Sequence, residues 1–176
     1  MLVEFFLQLV LLIMLVSMLY AAFSFAPWAP SHKIHLKRAL NLAELKSGEN
    51  FYDLGCGDGR TVICAAKHFG AHATGVELAF PMFLIARLRV WLSKASNANI
   101  VFGDLFREDL SNADVIYVYG MPNALEHKLR TKLESECKPG TRIVSFMFEI
   151  RGWTPVTIDH APGRWKKDVP LALYRL

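Results

Sequence analysis

Residues 52–60 read YDLGCGDGR, from Tyr52 to Arg60. A short apolar run, Phe51 to Leu54, precedes this stretch, and a helical pattern from Arg60 to Phe69 follows it. Glycines at a strand-to-helix turn let the backbone curl tightly and approach a ligand closely. The first turn of the following helix offers free N–H groups to a negative group. The stretch therefore predicts a binding turn at the carboxyl end of a buried strand, where ligands of open α/β sheets bind.

The spacing of the glycines separates two classes of cofactor. A dinucleotide fingerprint has the spacing GxGxxG, whereas Gly55, Gly57 and Gly59 give GxGxG, with Cys56 and Asp58 between them. An acidic residue, Asp53, stands two positions before the first glycine. A carboxylate there suits an amine-bearing cation better than a pyrophosphate, so an NAD-dependent oxidoreductase is the weaker interpretation.

Two more carboxylates follow predicted strands. Glu77 ends the strand His72 to Leu78, where an acidic residue can accept hydrogen bonds from ribose hydroxyls. Asp104 follows the strand Asn99 to Phe102, next to Leu105, and is placed to accept from an adenine amino group. Three acidic residues at three successive strand ends favour a nucleoside-containing, amine-bearing ligand.

The rest of the chain continues the alternation of strands and helices. Helices are predicted over 34–45, 60–69, 81–94 and 123–137, and further strands over 114–119, 142–148, 156–159 and 171–175. This order predicts a mostly parallel α/β sheet with helices on both faces. The last two strands lie close together along the chain, so a terminal hairpin should place an antiparallel strand in the sheet.

The N-terminal segment predicts one transmembrane helix. No Asp, Glu, Lys or Arg occurs from Phe5 to Ser31, and the apolar core from Phe5 to Ala26 exceeds the length needed to cross a bilayer. A cleaved signal peptide would have a positive start and a shorter apolar run, and a helix buried in the core is disfavoured by the apolarity all round. We expect a membrane helix over 1–27, a juxtamembrane linker and amphipathic helix over 28–48, and the catalytic domain over 49–176.

Flanking charges predict the orientation of this helix. The first basic residues are Lys33, Lys37, Arg38 and Lys46, all after the apolar run, and basic residues beside a membrane helix stay cytoplasmic. We therefore expect the N-terminus outside and the catalytic domain in the cytoplasm. The net charge of +4 is modest. Attraction to anionic lipid headgroups explains the basic cluster after the helix better than binding to nucleic acid does. Three cysteines without a CxxC pair or a histidine at ligand spacing predict neither a disulfide framework nor a metal site.

With these motifs the sequence resembles the class I, seven-β-strand S-adenosylmethionine (SAM)-dependent methyltransferases. DLGCGDG is similar to their first motif, GVEL (Gly75 to Leu78) to their second, and GDL (Gly103 to Leu105) to their adenine-contacting motif. The resemblance implies a Rossmann-like, doubly wound seven-stranded sheet with an antiparallel last strand. It also implies SAM as cofactor, with the glycine turn around the methionine part, Glu77 at the ribose and Asp104 at the adenine.

A closer resemblance is to the small membrane-anchored protein-lysine methyltransferases, whose members modify mitochondrial carrier and ATP synthase subunits. It rests on the membrane helix, the linker Pro27-Trp28-Ala29-Pro30, DLGCGDGR, Gly120-Met121-Pro122 and Trp153-Thr154-Pro155. Phe80-Pro81 departs from the Asn-Pro usual there, which puts the cofactor contacts at that place in doubt. The resemblance implies a protein substrate at or near the membrane.

Candidate residues for the substrate channel follow the fourth and fifth strands. Tyr119, Met121 and Pro122 are expected to line the channel, and Phe148 and Trp153 to contact the substrate. An aromatic, water-poor channel would help a lysine lose its proton, because it disfavours the charged form. Core packing explains Tyr119, Phe148 and Trp153 equally well.

Two alternatives stay open. The enzyme could instead methylate a lipid or quinone that reaches the site from the bilayer, or the domain could be a catalytically silent membrane scaffold. A nucleic-acid substrate is disfavoured, because no Asn-Pro-Pro-Tyr-type sequence follows the fourth strand and no basic face with interleaved aromatics is evident.

Overall fold

The computed structural model describes residues 1–25, 33–162 and 168–176. The strands of the structure are β1 (Asn50–Leu54), β2 (His72–Glu77), β3 (Ala98–Phe102), β4 (Val115–Val118), β5 (Arg142–Phe146), β6 (Thr157–Pro162) and β7 (Asp168–Arg175). Its α-helices are α1 (Leu2–Ser24), α2 (Lys33–Leu42), α3 (Arg60–Cys64), α4 (Phe80–Ser93), α5 (Pro122–Ala124) and α6 (Arg130–Glu136). A π-helical turn extends α3 over Ala65–Phe69, and a second one over Leu125–Leu129 joins α5 to α6.

The strands form one seven-stranded sheet in the order β3-β2-β1-β4-β5-β7-β6. Neighbours from β3 to β5 are parallel, whereas β7 is antiparallel to both β5 and β6. The expected mostly parallel sheet with an antiparallel last strand is confirmed. The chain reverses its winding between β1 and β4, and the carboxyl ends of these two strands therefore flank the crevice in which such sheets bind ligands.

Helices cover both faces of the sheet. On one face, α2, α3 and α4 share a core with Phe51, Tyr117 and Val144. On the other face, Leu125, Leu129 and Leu133 pack with Leu54, Ile116 and Ile143. Adjacent strand residues enter opposite cores because side chains alternate across a strand. Strands buried on both faces explain the nearly continuous apolar runs of the sequence.

The amphipathic helix α2 packs on the sheet through Leu36, Ala39 and Leu40, each at most 1% exposed. Arg142 on β5 fixes its carboxyl end by donating to the backbone oxygens of Ala43 (2.8 Å) and Glu44 (3.0 Å). The helix thus shares a core with the sheet. The domain boundary expected at 48–49 is not tested by this packing.

Some expected strands are shorter in the structure: β4 lacks one residue at each end of the expected range 114–119, and β5 ends early. The pattern predicts a strand from residue 142 to 148, but β5 ends at Phe146. The cause is local: Met147 has a φ of 67°, in the left-handed region that a strand cannot contain. The chain turns there, and the N–H of Met147 donates to the oxygen of Pro170.

Helix α1 has no buried residue and is long and apolar enough to cross a membrane. Its carboxyl-terminal part nevertheless contacts the domain: the N–H of Phe80, at the start of α4, donates to Oγ of Ser17 (2.9 Å). Phe25, directly after the helix, is only 8% exposed. The linker expected at Pro27 to Pro30 lies outside the described residues.

Candidate active site

The glycine turn closes against the end of β2. The N–H groups of Gly55 and Cys56 both donate to the oxygen of Val76 (3.0 Å each). Gly55, Gly57 and Gly59 have φ values of 85°, 55° and 74°, which side chains with a Cβ rarely adopt. The turn therefore needs its glycines, which bring its backbone close to the space above β1.

Glu77 holds this turn from below. Its carboxylate accepts from the N–H of Gly57 through Oε2 (2.7 Å) and from the N–H of Ala79 through Oε1 (2.7 Å). Burial raises the pKa of Glu77, and these backbone hydrogen bonds oppose the rise. A carboxylate has about four lone-pair positions. Glu77 thus keeps acceptor capacity on the side that lines the cavity.

Asp53 is the least compensated acid of the site. It is 2% exposed and faces the cavity from the end of β1. Burial raises the pKa of Asp53 to about 8; the side chain of Thr61 opposes this through a hydrogen bond, and the charge of Glu77 adds to it. At neutral pH this carboxyl is therefore protonated until a cation lies beside it.

Asp58 differs from Asp53 in having cationic partners. Arg60 forms a salt bridge with its Oδ2 (2.6 Å), and Arg89 of α4 forms a second one. Burial alone would raise the pKa of Asp58, but the hydrogen bonds and charges of the two arginines outweigh it and lower the pKa. Asp58 lines the cavity, yet its carboxylate mainly ties the glycine turn to α4.

Asp104 follows β3 and begins the short 3-10 helix Leu105–Arg107. Its Oδ1 accepts from the N–H of Phe106 (3.0 Å), which fixes the carboxylate at the helix start. Asp104 and Leu105 both line the cavity, on the same side as Leu78. The three predicted acids therefore meet at the carboxyl ends of three neighbouring strands, as the sequence indicated.

The end of α1 forms the opposite wall of this cavity. The backbone oxygen of Phe25 accepts from the N–H of Met121 (3.2 Å), and its ring packs edge-on against Phe106 (centroids 6.2 Å apart). A Cβ on Gly120 would lie 2.3 Å from Cζ of Phe25. Glycine at position 120 is thus what lets this aromatic ring reach the site.

Tyr119 lines the cavity at the end of β4, beside further aromatic rings. Its ring meets Phe146 edge-on (4.9 Å) and stacks near Phe148 (6.5 Å), and its hydroxyl donates to Sδ of Met147 (3.3 Å). Burial raises the pKa of Tyr119. The phenol is therefore neutral at physiological pH.

The structure brings together most of the predicted residues. The cavity lining contains Asp53, Gly55, Cys56, Gly57, Asp58, Glu77, Leu78, Asp104, Leu105 and Tyr119. Gly59 lies behind the turn instead, where its Cβ position is 3.1 Å from Cβ of Ala86. Met121 and Pro122 follow Tyr119 at the start of α5 but do not line the cavity described here, and neither does Phe148.

Trp153 lies farther from the cavity. Its ring packs against Tyr174 (5.6 Å), and its Nε1–H donates to Oε1 of Glu134 (2.7 Å). Both partners lie near α6, on the face of the sheet remote from α3. The substrate role expected for Trp153 stays a prediction.

Sequence reasoning missed the contribution of α1. Met18, Ala21, Ala22, Ser24 and Phe25 all line the cavity. The apolar run predicted a membrane helix, and an apolar run looks the same whether its last turns meet lipid or protein. Glycine at position 120 is what admits the ring of Phe25, but the burial and the backbone conformation of Gly120 become visible only in the structure.

The donor set fits one kind of cofactor. Among the described residues Asp53 has no cationic partner, so this buried carboxyl suits an amine of the ligand. The glycine turn leaves room for a methionine-like chain. Glu77 and Asp104 offer acceptors for ribose and an adenine amino group. On this fold, that donor set defines a class I SAM-dependent methyltransferase.

Comparison with known proteins gives the family. Residues 53–157 match the family described as ANTKMT methyltransferase domain, and the chain belongs to that family. A protein-lysine N-methyltransferase of Saccharolobus islandicus is 41% identical over 131 residues, which are 73% of this chain and 81% of the relative. The adenine nucleotide translocase lysine N-methyltransferase of Mus musculus is 31% identical over 147 residues, 81% of this chain but only 63% of the relative.

A solved structure agrees with this assignment. The RNA methyltransferase of Salinibacter ruber in complex with S-adenosyl-L-homocysteine superimposes with a TM-score of 0.78 at 32% identity, over 84% of this chain and 93% of that one. The cofactor of the present enzyme is therefore SAM. The expected enzyme class, a SAM-dependent methyltransferase, is confirmed. The family membership and the retained glycine turn and acids argue against the alternative of a catalytically silent scaffold.

Proposed function

We propose that the enzyme methylates a lysine side chain of a membrane protein and that α1 anchors it beside that substrate. The observation that carries the proposal is the wall formed by Phe25. The apolar helix ends inside the catalytic cavity, so an acceptor reaching the cofactor passes close to the point where the anchor joins the domain. Two relatives are named as lysine N-methyltransferases, one of them of the adenine nucleotide translocase, and they support a lysine of a membrane-associated protein.

The chemistry asked of the chain is positioning. SAM supplies an electrophilic methyl group, and its sulfur leaves without being protonated. In the proposal Asp53 holds the amino group of the cofactor, Glu77 its ribose and Asp104 its adenine. Holding the two reactants in line contributes several kcal/mol, on the order of the effect of an intramolecular reaction.

The aromatic wall serves the acceptor. Phe25, Phe106 and Tyr119 line the cavity, and their rings exclude water from the place where the amine arrives. A lysine entering such surroundings has its pKa lowered, because burial disfavours the ammonium form. We propose that Tyr119, Met121 and Pro122 line the entry for the lysine and that Phe148, stacked beside Tyr119, contacts the substrate.

The proposed topology places the N-terminus outside and the domain in the cytoplasm. It rests on the basic residues after α1, among them Lys37, Arg38 and Lys46. Introduced cysteines test it in a Cys137→Ser background, since Cys56 and Cys64 are buried and Cys137 is not. On intact cells a membrane-impermeant thiol reagent should label Glu4→Cys but not Val156→Cys. Permeabilisation should make Val156→Cys reactive. Labelling of Val156→Cys on intact cells would contradict the proposed topology and indicate that the catalytic domain lies outside.

The substrate class is tested by tritium transfer. Full-length enzyme and labelled SAM are incubated with membranes of the cells in which the chain occurs, with Asp53→Asn as inactive control. We expect label that protease releases, that ribonuclease and lipid extraction leave in place, and that acid hydrolysis yields as methyl-lysine. Label in the ribonuclease-sensitive fraction would instead support an RNA substrate, and label in the lipid extract a lipid or quinone.

A further inference from the structure

We propose that the outer side of α4 rests on the lipid bilayer and holds the cavity at the membrane surface. This inference builds on the proposed anchoring role of α1. The side in question, called the α4 apolar face below, consists of Leu84, Ile85, Leu88, Trp91 and Leu92. Each of these residues is exposed, from 43% at Leu84 to 74% at Trp91. So large an apolar surface on one helix marks an interaction site.

The five residues form one continuous stripe. At 100° per residue their positions fall within an arc of about 120° on the helix. The opposite side of α4 is the one that packs on the sheet, through Met82 and Ala86, which are 5% and 0% exposed. Helix α4 therefore has two apolar sides, of which the domain covers only one.

The path of α1 brings this face to the membrane. Followed backwards from Phe25, the helix passes the end of β3, where Tyr20 lines a hollow together with Val101 and Phe102. It then reaches the first turn of α4, at the contact between Ser17 and Phe80. A helix that leaves the domain along this side places α4 and the edge strand β3 nearest to the bilayer it enters.

The depth of this contact is also informative. Ser17 lies seven residues before Ser24, the last residue of α1, which is about 10 Å along a helix. The first turn of α4 is therefore level with the final part of the apolar segment. At that level the surroundings are lipid headgroups and the outer acyl chains, into which interfacial helices sink by about 5–10 Å.

The composition of α4 suits lipid better than another protein. Trp91 is of the type enriched at membrane interfaces. Arg87 and Lys94 are both exposed and border the face, where anionic headgroups attract cations. A second copy of the chain or the substrate protein could also cover an apolar stripe, but neither accounts for its continuity with the apolar helix α1.

The test compares two labelled sites on the full-length enzyme. Leu88→Cys lies on the α4 apolar face (55% exposed), and Val156→Cys precedes β6 (62% exposed) at the opposite edge of the sheet. Six strand spacings separate the two edges, about 29 Å. Cys137 is replaced by Ser in both variants, because Cys56 and Cys64 are buried and Cys137 is not. An environment-sensitive fluorophore is attached, and the enzyme is inserted into vesicles of phosphatidylcholine and phosphatidylglycerol.

We expect the probe at position 88 to emit at shorter wavelength, to be quenched by doxyl-labelled lipid, and to be severalfold less quenched by iodide than the probe at 156. Equal iodide quenching at both sites would overturn the inference. Protection of position 88 from iodide without quenching by doxyl lipid would also overturn the inference, because it indicates a second copy of the chain. Protection that appears only after substrate protein is added would overturn it as well.

Methyl transfer is measured on the same preparations. Active enzyme with an iodide-accessible position 88 would refute the bilayer contact and leave the proposed function standing. If the probe at position 88 is quenched by lipid but the enzyme transfers no methyl group to protein, the bilayer contact is supported and the proposed function is refuted.

Discussion

Binding of SAM should release a proton from Asp53. In the free enzyme the pKa of this buried carboxyl is raised to about 8, whereas an ammonium group beside it would lower the pKa well below neutrality. At pH 6 the free carboxyl is about 99% protonated, and the amino group of the ligand is charged, with a typical pKa of about 7.7–8.0. Binding at pH 6 should therefore expel about one proton.

The same shift sets the pH dependence of affinity. Protonation of Asp53 multiplies the apparent dissociation constant by 1 + 10^(pKa − pH). With a pKa of about 8, this factor is about 101 at pH 6 and about 11 at pH 7. The dissociation constant should therefore fall about ninefold between these pH values, which corresponds to about 1.3 kcal/mol. The sign is opposite for the stability of the free enzyme. Its folded form retains a proton that the unfolded chain releases, so the free energy of unfolding falls as pH rises from about 4 to about 8.

Calorimetry on the full-length enzyme measures the proton directly. SAM is titrated at pH 6 in two buffers of different ionisation enthalpy, and the difference in observed heat gives the number of protons released. Asp53→Asn should bind more weakly, release no proton, and lose the ninefold dependence. Asp104→Asn, which removes another carboxylate of the same cavity, should keep both the proton release and the ninefold pH dependence. Proton release by Asp53→Asn equal to that of the wild type would refute the assignment.

Three further predictions concern packing. Gly120→Ala should displace the ring of Phe25, since the added Cβ would lie 2.3 Å from Cζ, and should cost about 1–3 kcal/mol of stability in urea unfolding together with most of the activity. Tyr174→Phe removes the hydroxyl that accepts from the N–H of Ile150 (2.9 Å) and should cost about 1–2 kcal/mol in the same assay. Arg142→Met detaches the end of α2 and should cost about 2–3 kcal/mol.

Matched variants control these measurements. Gly103→Ala adds a Cβ whose nearest neighbour is 3.9 Å away, so unchanged stability is expected. Lys138→Met breaks a salt bridge to Asp114 whose lysine is 45% exposed, and it should cost less than about 1 kcal/mol. A loss at Gly103 as large as that at Gly120 would contradict the role given to Phe25. Equal losses of stability in Lys138→Met and Arg142→Met would contradict the conclusion that Arg142 fixes the carboxyl end of α2.

The sheet and its binding turn were predictable because their signals are local. Strands β1, β2 and β4 contribute side chains to both cores. An acidic residue marks the carboxyl end of three strands: Asp53 in the last part of β1, Glu77 at the end of β2, and Asp104 after β3. The carboxyl ends of parallel strands lie along one edge, so residues far apart in sequence meet without any long-range pattern being needed.

The wall formed by α1 was not predictable for the converse reason. Helix packing is inferred from a polar side that contrasts with an apolar one, and α1 has no such contrast. Within residues 1–25 only Phe25 is buried. The missing side chain of Gly120, almost a hundred residues later in the chain, makes room for its ring. The end of β5 was also missed, because the left-handed conformation of Met147 has no signature in that residue type.

Three acids at or beside the glycine turn, Asp53, Asp58 and Glu77, explain why an amine-bearing cofactor, and not a dinucleotide, fits this fold. Each carboxylate is accommodated differently: Asp58 by two arginines, Glu77 by backbone N–H groups, and Asp53 by remaining protonated. Arg60, which lines the cavity, is held by Asp58. A pyrophosphate at the turn would be repelled by these acids, and Arg60, already paired with Asp58, could offset this repulsion only weakly. The pyrophosphate would also raise the pKa of Asp53 further. An ammonium group meets the opposite situation, since it brings a positive charge to Asp53 and lowers the pKa of that carboxyl.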